Sequence, residues 1–513
     1  MYCADGHTKK IAKNTMFLYF RLLFLMGVQL YCVPVVLKNL GVESYGIYNV
    51  VGGIVTLFSF LGVSLASGSQ RFIAYALGKN DDVLTKKIFD TTVTIYYGLA
   101  IMSILVLDPC CVVFMNKKMV IPAESMFAAN VVLHISFASF FISLISIPYN
   151  SAIIAHEKMD IYAYVSIIEG ILKLVAAMVL CFVESHILIV YAGMILGINI
   201  IVRLIYQLYC KVNFDECRKV HFSLDNDVKQ QLFGYLSWNV VGAVANILRQ
   251  QGINIVVNLF FGPVLNAAHA ISQQMQGVLN QFINNLYLAT RPQLTKKYAA
   301  GQTNEMWSLT FFSCKLVFFL LIIIAIPLLI DGAFLLKIWL NDIPAFTFPI
   351  LRLLIISLLI ESLVNPIIGV FQAQNKIKSY QMCSSTILLL IVPISYVFLK
   401  FDDTLPLVPY ILSMGTSVFF AISILLIASK KIHLDLNFFI TRVLVREIVS
   451  FFFVFAIVSY TASFFEMSLK RFFVTSSFSV TLTIFAAWFW GMEKNERKKI
   501  MNFIYKRIKH ERT

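Results

Sequence analysis

Runs of apolar residues long enough to cross a bilayer recur from one end of this sequence to the other, and they constrain the fold before any motif is considered. They lie near residues 14–37, 45–67, 89–115, 126–148, 161–183, 187–209, 231–260, 265–290, 307–330, 346–372, 379–399, 406–429, 447–465 and 472–491. A membrane-crossing helix takes about 20 residues, so fourteen such runs use up most of a 513-residue chain and leave no room for a large soluble domain. Only 13% of the residues are charged and 59% are hydrophobic, whereas soluble proteins carry about 25% charge. Lipid offers the backbone no hydrogen bonds, so segments of this kind cross as helices. The expected fold class is an all-α polytopic membrane protein with 14 transmembrane helices.

The net charge of +15 would raise nucleic acid as a partner in a soluble chain. Here the Lys and Arg residues sit in loops and at the ends, which points to membrane orientation instead. With the N-terminus inside, the inner segments hold 29 Lys and Arg and the outer loops hold 7. That asymmetry places both termini in the cytoplasm. Arg21 interrupts the first apolar run and no small-residue cleavage site follows, so the first run reads as an anchor rather than a cleaved signal. The tail over 493–513 carries eight Lys and Arg with Ile500, Phe503, Ile504 and Ile508 at helical spacing, as expected of a basic amphipathic helix on an anionic leaflet. Nine cysteines lie mostly inside apolar runs and form no C-x-x-C pair, so no disulfide framework, metal site or cofactor is expected.

The chain also resembles itself. Pro148, Ala155, Lys158 and Tyr162 follow the fourth run, and Pro366, Ala373, Lys376 and Tyr380 follow the tenth with the same spacing, at an offset of 218. Gly41-Val42 in the first outer turn corresponds to Gly262-Pro263 in the fourth, and Arg71 with Gly78 resembles Arg291 with Gly301. Three coincidences at nearly one offset argue for a duplicated six-helix unit, and an even helix number gives both copies the same orientation. The expected organisation is an N-terminal lobe over 1–213, a C-terminal lobe over 214–430, two accessory helices over 431–491 and a basic tail over 492–513.

Six cations fall inside apolar runs: Arg21, Lys173, Arg203, Arg249, Lys315 and Arg352. A charge at the centre of a membrane helix costs about 2.5–3.5 kcal/mol even on insertion scales, so each needs a partner, an interface or a wet cavity. Glu169 and Lys173, at i and i+4, can neutralise one another. Arg203 and Arg352 lie near helix ends, where their heads can snorkel to water, and Lys315 is ambiguous. Arg21 and Arg249 are the cavity candidates, because Arg249 has 18 residues of its run before it and 11 after. On the same run Asn239, Asn246, Gln250 and Asn254 fall on one helical face, and the next run repeats the pattern with His269, Gln273, Gln276, Asn280 and Asn284. Amides bridge membrane helices, but two such stripes beside a deep arginine suit a water-filled, sugar-compatible cavity. Glu361 is the carboxylate nearest a helix midpoint, available for pairing with Arg249 or for a coupling H⁺ or Na⁺.

No phosphate-binding G-x-x-x-x-G-K-[ST] loop, H-E-x-x-H motif or Cys/His cluster is present. The longest outer loop, near 331–345, holds Asp331 and Asp342 but is too short for an external catalytic domain. An enzyme is therefore not expected.

The stretch over 14–81, with Leu40-Gly41-Val42-Glu43-Ser44-Tyr45-Gly46-Ile47-Tyr48 and Gly68-Ser69-Gln70-Arg71-Phe72, resembles the N-terminal region of Wzx-type polysaccharide flippases. These belong to the multidrug/oligosaccharidyl-lipid/polysaccharide exporter superfamily. The resemblance implies a carrier in the bacterial inner membrane that moves a polyprenyl-diphosphate-linked oligosaccharide to the outer leaflet by alternating access, for surface polysaccharide biosynthesis. It implies lipid-linked oligosaccharide, membrane lipid and a polysaccharide polymerase as partners, and a cationic cavity for the diphosphate, a role that Arg21 and Arg249 would take. A cation-coupled multidrug exporter of the same superfamily is the alternative, and it would favour acidic cavity residues. A third class, a membrane glycan polymerase or ligase, would use an outer-loop acid such as Asp331 or Asp342.

Overall fold

The computed structural model describes residues 2–79, 81–156, 158–340, 342–374, 376–493 and 497. The basic tail expected over 492–513 therefore lies almost wholly outside the described residues. Among them the chain is all helix with no strand, and eleven helices are long and apolar enough to cross a membrane. The chain is a polytopic membrane protein. The two helices that bear the amide stripes are not among the eleven, and many of their side chains fall outside the described ones.

Two compact units divide the chain. The first comprises residues 1–270 with 340–345 and 399–406, and the second comprises 271–339, 346–398 and 407–513. In the first unit α1 (Tyr2–Thr56) is broken at Gly41, whose φ of 78° and ψ of 163° are accessible only to glycine at little cost. There follow α2 (Phe60–Gly78), α3 (Asp82–Met102), α4 (Asp108–Lys118), α5 (Ala123–Ala155), α6 (Met159–Val179), α7 (Ile187–Asn213), the short α8 (Asp215–Arg218) and α9 (Asn226–Phe261). The 37-residue α10 (Pro263–Ala299) begins in this unit and its remainder belongs to the second.

Helix α5 is the hub, packing against α7, α2, α3 and α1. Its Tyr149 meets Phe89 edge to face at 5.5 Å, within a core that includes Ile153, Tyr206 and Cys210. The segment after α7 is strapped to the same helix ends by polar contacts. Lys86 Nζ donates to Asp90 Oδ1 at 3.1 Å and to the carbonyls of Glu216 and Lys219. Asp90 accepts from His221 N at 3.1 Å, Thr94 donates to the Ser223 carbonyl, and Thr91 accepts from Asp225 N. His156 stacks on Phe214 at 3.9 Å and holds Glu216 at 2.7 Å. Asp225 then caps α9, and the Val228 N–H followed by Lys87 holds its carboxyl below the usual range.

The second unit contains α11 (Thr303–Trp339), α12 (Thr347–Ser362), α13 (Asn365–Ala373), α14 (Ile377–Phe401), α15 (Val408–Ile432), α16 (Leu436–Phe439), α17 (Val445–Ala462) and α18 (Leu469–Ala486). Its axis is α11, buried along most of its length and packed by α18, α12, α17 and α13. Asp331 was expected in an outer loop; it lies inside α11, because the helix runs on to Trp339. Its carboxylate is buried with Oδ1 2.7 Å from Arg471 Nε, an ion pair off the line of a hydrogen bond, while Oδ2 accepts from Thr475 at 2.7 Å. Lys315, ambiguous from sequence, is buried near the opposite end of α11. The accessory helix α18 is thus tied to α11 by charge.

Two local geometries recur at the offsets seen in the sequence. His156 N donates to Ala152 O at 2.9 Å and Lys158 N to Ile153 O at 3.0 Å; Gln374 N donates to Val370 O and Lys376 N to Phe371 O, both at 2.9 Å. Gly262, between α9 and α10, has φ 74° and ψ −171°, close to the backbone of Gly41.

Candidate functional site

Arg21 lies on the first half of α1 and is half-buried. Its Nη2 donates to Tyr162 Oη at 3.2 Å and its guanidinium carbon stands 4.5 Å from the centre of the same ring. Tyr162 is on the first turn of α6, which packs closely on α1: a Cβ on Gly170 would meet Leu25 Cδ2 at 2.9 Å. The cation is therefore seated on a neutral phenol, and among the described residues no carboxylate pairs with it.

Arg203 was expected to snorkel to the surface. It is instead buried at 4% exposure, because α7 packs its inner half against α5. The guanidinium carbon sits 4.2 Å over the Tyr149 ring, and Nε and Nη1 have no hydrogen-bond partner. Arg21 and Arg203 thus each rest on a tyrosine face, a cation–π seat that stabilises charge by about 0.5–2 kcal/mol without neutralising it. Sequence reading placed Arg203 by depth alone; a signal was available in Tyr149, which follows Pro148, but its proximity to α7 is a tertiary fact. Glu169 and Lys173 pair at 2.6 Å, as their spacing requires, and Arg352 is exposed with its Nε donating to the Leu329 carbonyl at 2.9 Å.

On α9, Arg249 is half-buried and Gln250 is exposed. Asn239 and Asn246 lie on the same helix, and their side chains fall outside the described ones. Asn254 is 4% exposed and fully engaged. Its Oδ1 accepts from Asn266 Nδ2 at 2.7 Å and its Nδ2 donates to the Asn49 carbonyl at 3.3 Å, while Asn258 joins Asn266 to both backbone groups of Val120. This belt holds the α9–α10 turn against α1, at a point where Gly46 and Gly53 allow close approach. Asn254 thereby acts as a brace. His269 is buried at 5% exposure on α10.

In the second unit Gln273, Gln276 and Asn280 are half-buried and Asn284 is exposed on α10. Gln276 Nε2 donates to the Leu354 carbonyl at 3.2 Å, which leaves its own carbonyl oxygen available. Glu361, near the end of α12, accepts from Ser417 Oγ of α15 at 2.8 Å.

Within the first unit, α1, α2, α5 and α7 line an open cleft of about 330 Å³. Thr56, Ser59, Ser136, Ser139, Ser143 and Asn199 supply its polar lining, and Tyr48 and Phe140 an aromatic one. It contains no charged side chain. The 3₁₀ turn Leu57–Ser59 at its wall turns the Thr56 and Ser59 hydroxyls back onto the carbonyls of Gly53 and Thr56.

Comparison with known proteins shows the fold. No protein-family model matches the sequence, and no curated protein matches it. Among solved structures, it is similar to a multidrug resistance MATE family transporter of the MOP superfamily in an inward-facing conformation, with TM-score 0.67 and 16% identity over 81% of this chain and 98% of that one. It is similar to the lipid II flippase MurJ in an inward closed conformation, with TM-score 0.67 and 12% identity over 92% of this chain and 98% of that one. A MOP superfamily transporter from Pyrococcus furiosus, described by the reverse polarity of its binding pocket, aligns with TM-score 0.60 and 15% identity over 83% and 96%. These structural neighbours are transporters and flippases rather than enzymes.

Proposed function

We propose that the chain is a flippase that carries a polyprenyl-diphosphate-linked oligosaccharide from the cytoplasmic to the outer leaflet of a bacterial inner membrane, serving surface polysaccharide assembly. The observation that carries this reading is the pair of guanidiniums, Arg21 and Arg203, seated on tyrosine rings inside a membrane unit. A diphosphate is the ligand such donors recognise, through charge-assisted and bidentate hydrogen bonds. Arg249 adds a third guanidinium from α9. Asn239, Asn246, Gln250, Gln273, Gln276 and Asn280 would meet the sugars, with Asn254 bracing the helix turn beside them.

The mechanism proposed is alternating access by two six-helix lobes, 1–213 and 214–430. The recurrent backbone geometry at Gly41 and Gly262, and at the ends of α5 and α13, supports an internal duplication. Likeness to the MurJ fold supports a lipid-linked cargo, and likeness to a MATE fold keeps the multidrug alternative distinct. An exporter of organic cations needs carboxylates facing its cargo, whereas the two tyrosine-seated guanidiniums would repel it.

The test is complementation of a flippase-deficient bacterium supplied with defined lipid-linked glycans. Rescue by the wild type, with loss of rescue in Arg21→Ala, Arg203→Ala and Arg249→Ala at equal expression, is the expected result. Protection against organic cations in a pump-deficient host, without rescue, would replace this reading by the multidrug one.

A further inference from the structure

The helix formed by α3 and α4 is interrupted by a π-helical turn at Ser103–Leu107, and Asp108 is the first residue beyond it. Such a turn inserts an extra residue and rotates the face that follows. Asp108 Oδ2 lies 2.7 Å from His134 Nδ1 on α5. The carboxyl side chain is 11% exposed and its Oδ1 is buried with no hydrogen-bond partner, while the imidazole is 57% exposed. Asp108 stands ten residues before the end of α4 at Lys118, and His134 eleven after the start of α5 at Ala123. At 1.5 Å per residue they lie about 10 and 12 Å inside the ends of their apolar runs at 115 and 126, within a hydrocarbon core about 30 Å thick.

Packing does not call for this pair. One to two turns toward the helix ends, Asn116 and Asn130 already fix the register of α4 on α5 by exchanging hydrogen bonds of 2.8 and 3.0 Å. Helix α4 packs chiefly on α5. The other titratable groups on that half of the two helices are Cys110, Cys111, Lys117, Lys118 and Glu124, of which Cys111 is buried. A carboxylate can only accept, so His134 Nδ1 carries the shared hydrogen and Nε2 is the open position. In that state the pair bears one negative charge. A proton from water adds to Nε2, giving an imidazolium–carboxylate pair of zero net charge.

The two states differ in what they tolerate. Holding an uncompensated charge in lipid costs several kcal/mol, so the loaded, neutral pair favours a lipid-buried position and the unloaded pair favours one that water reaches. We propose that Asp108 and His134 form a proton site that loads once per transport cycle at His134 Nε2 and couples the proton gradient to the conformational change. This inference rests on the transporter reading above, and it assigns the coupling ion to a pair on α4 and α5 rather than to Glu361.

Two measurements on the full chain test it. In nanodiscs, the ¹⁵N resonances of His134, identified by their absence in His134→Gln, should report proton uptake. Asp108→Asn should alter that uptake, because the carboxylate hydrogen-bonded to Nδ1 is gone. Unchanged titration of His134 in Asp108→Asn overturns the site whatever the cargo. In proteoliposomes carrying a fluorescent undecaprenyl-diphosphate-linked N-acetylglucosamine, an imposed pH gradient should accelerate wild-type flipping about fivefold or more, the lower range of usual coupling. Asp108→Asn and His134→Gln should flip without a gradient and lose the acceleration, while Glu361→Gln retains it. Acceleration preserved in both pair variants, or lost only in Glu361→Gln, overturns the proposal. Absence of any flipping by the wild type counts against the lipid-linked cargo, and the histidine titration still decides the proton site.

Discussion

A methyl group on Gly46 would stand 1.8 Å from the carbonyl oxygen of Pro263. Both positions are fixed by backbone, so no rotamer relieves the clash, and Gly46→Ala must push α1 away from the α9–α10 turn and strain the asparagine belt beside it. Overpacking of this kind costs about 1–3 kcal/mol; a clear drop in the melting midpoint of the purified protein is expected. Gly52, less than two turns further along, has open space where its Cβ would be. Gly52→Ala is the matched control and should melt with the wild type or slightly above it. The sequence flagged Gly46 only as part of a motif. Nothing local distinguishes it from Gly52, because the carbonyl that excludes a side chain lies more than two hundred residues away. The same limit applied to the arginines. Depth along an apolar run singled out Arg21, but its seat, Tyr162, is 141 residues distant, and Arg203 was placed at the surface for want of any sign that Tyr149 would cover it.

Helices are joined here by charges that hydropathy assigned to loops. Asp331 and Arg471 both read as outer-loop residues, since each lies where an apolar run ends; α11 and α18 extend past those ends and bury the pair. Breaking a buried pair by removing one partner costs about 3–5 kcal/mol, whereas replacing both by apolar groups can be neutral. Asp331→Leu alone should therefore lower the melting midpoint sharply and loosen α18 from α11, read as new protease cleavage between α17 and α18. Asp331→Leu with Arg471→Leu should recover most of the loss. Recovery would also remove Asp331 from any catalytic role, since an apolar pair conducts no acid–base chemistry. The strap after α7 behaves as another such element. Lys86→Met should release the Glu216 and Lys219 carbonyls and expose the segment between α8 and α9 to trypsin at neutral pH. Acid should loosen its far end in the wild type as well. The Asp225 carboxyl is held below its usual range, so its cap on α9 is present above the unfolded value and is lost as pH falls below about 4.

At the scale of the whole chain the class of fold was legible because a bilayer imposes one period and one length on everything that crosses it, and most expected runs correspond to described helices. The amide-rich runs over 231–260 and 265–290 read as spans, and the chain forms helices there over Asn226–Phe261 and Pro263–Ala299. What hydropathy cannot carry is the sign of the interior, and the identity of the cargo turns on that sign. Arg21, Arg203 and Arg249 all belong to the first unit, and the two whose contacts are resolved lean on neutral rings. A doubly charged phosphate group should therefore bind there and an organic cation should not. Farnesyl diphosphate, farnesol and tetraphenylphosphonium share apolar bulk and differ in charge, so their binding to the purified protein isolates the electrostatic contribution. Farnesyl diphosphate is expected to bind at least tenfold more tightly than farnesol, the equivalent of about 1.4 kcal/mol. That advantage should shrink as salt screens it and vanish in Arg21→Gln with Arg203→Gln. Farnesol should bind all variants alike, because its contacts are apolar. Preference for tetraphenylphosphonium, strengthened when the two arginines are neutralised, would mean that the guanidiniums repel cations from a protein that otherwise binds them, and would return the chain to the multidrug class.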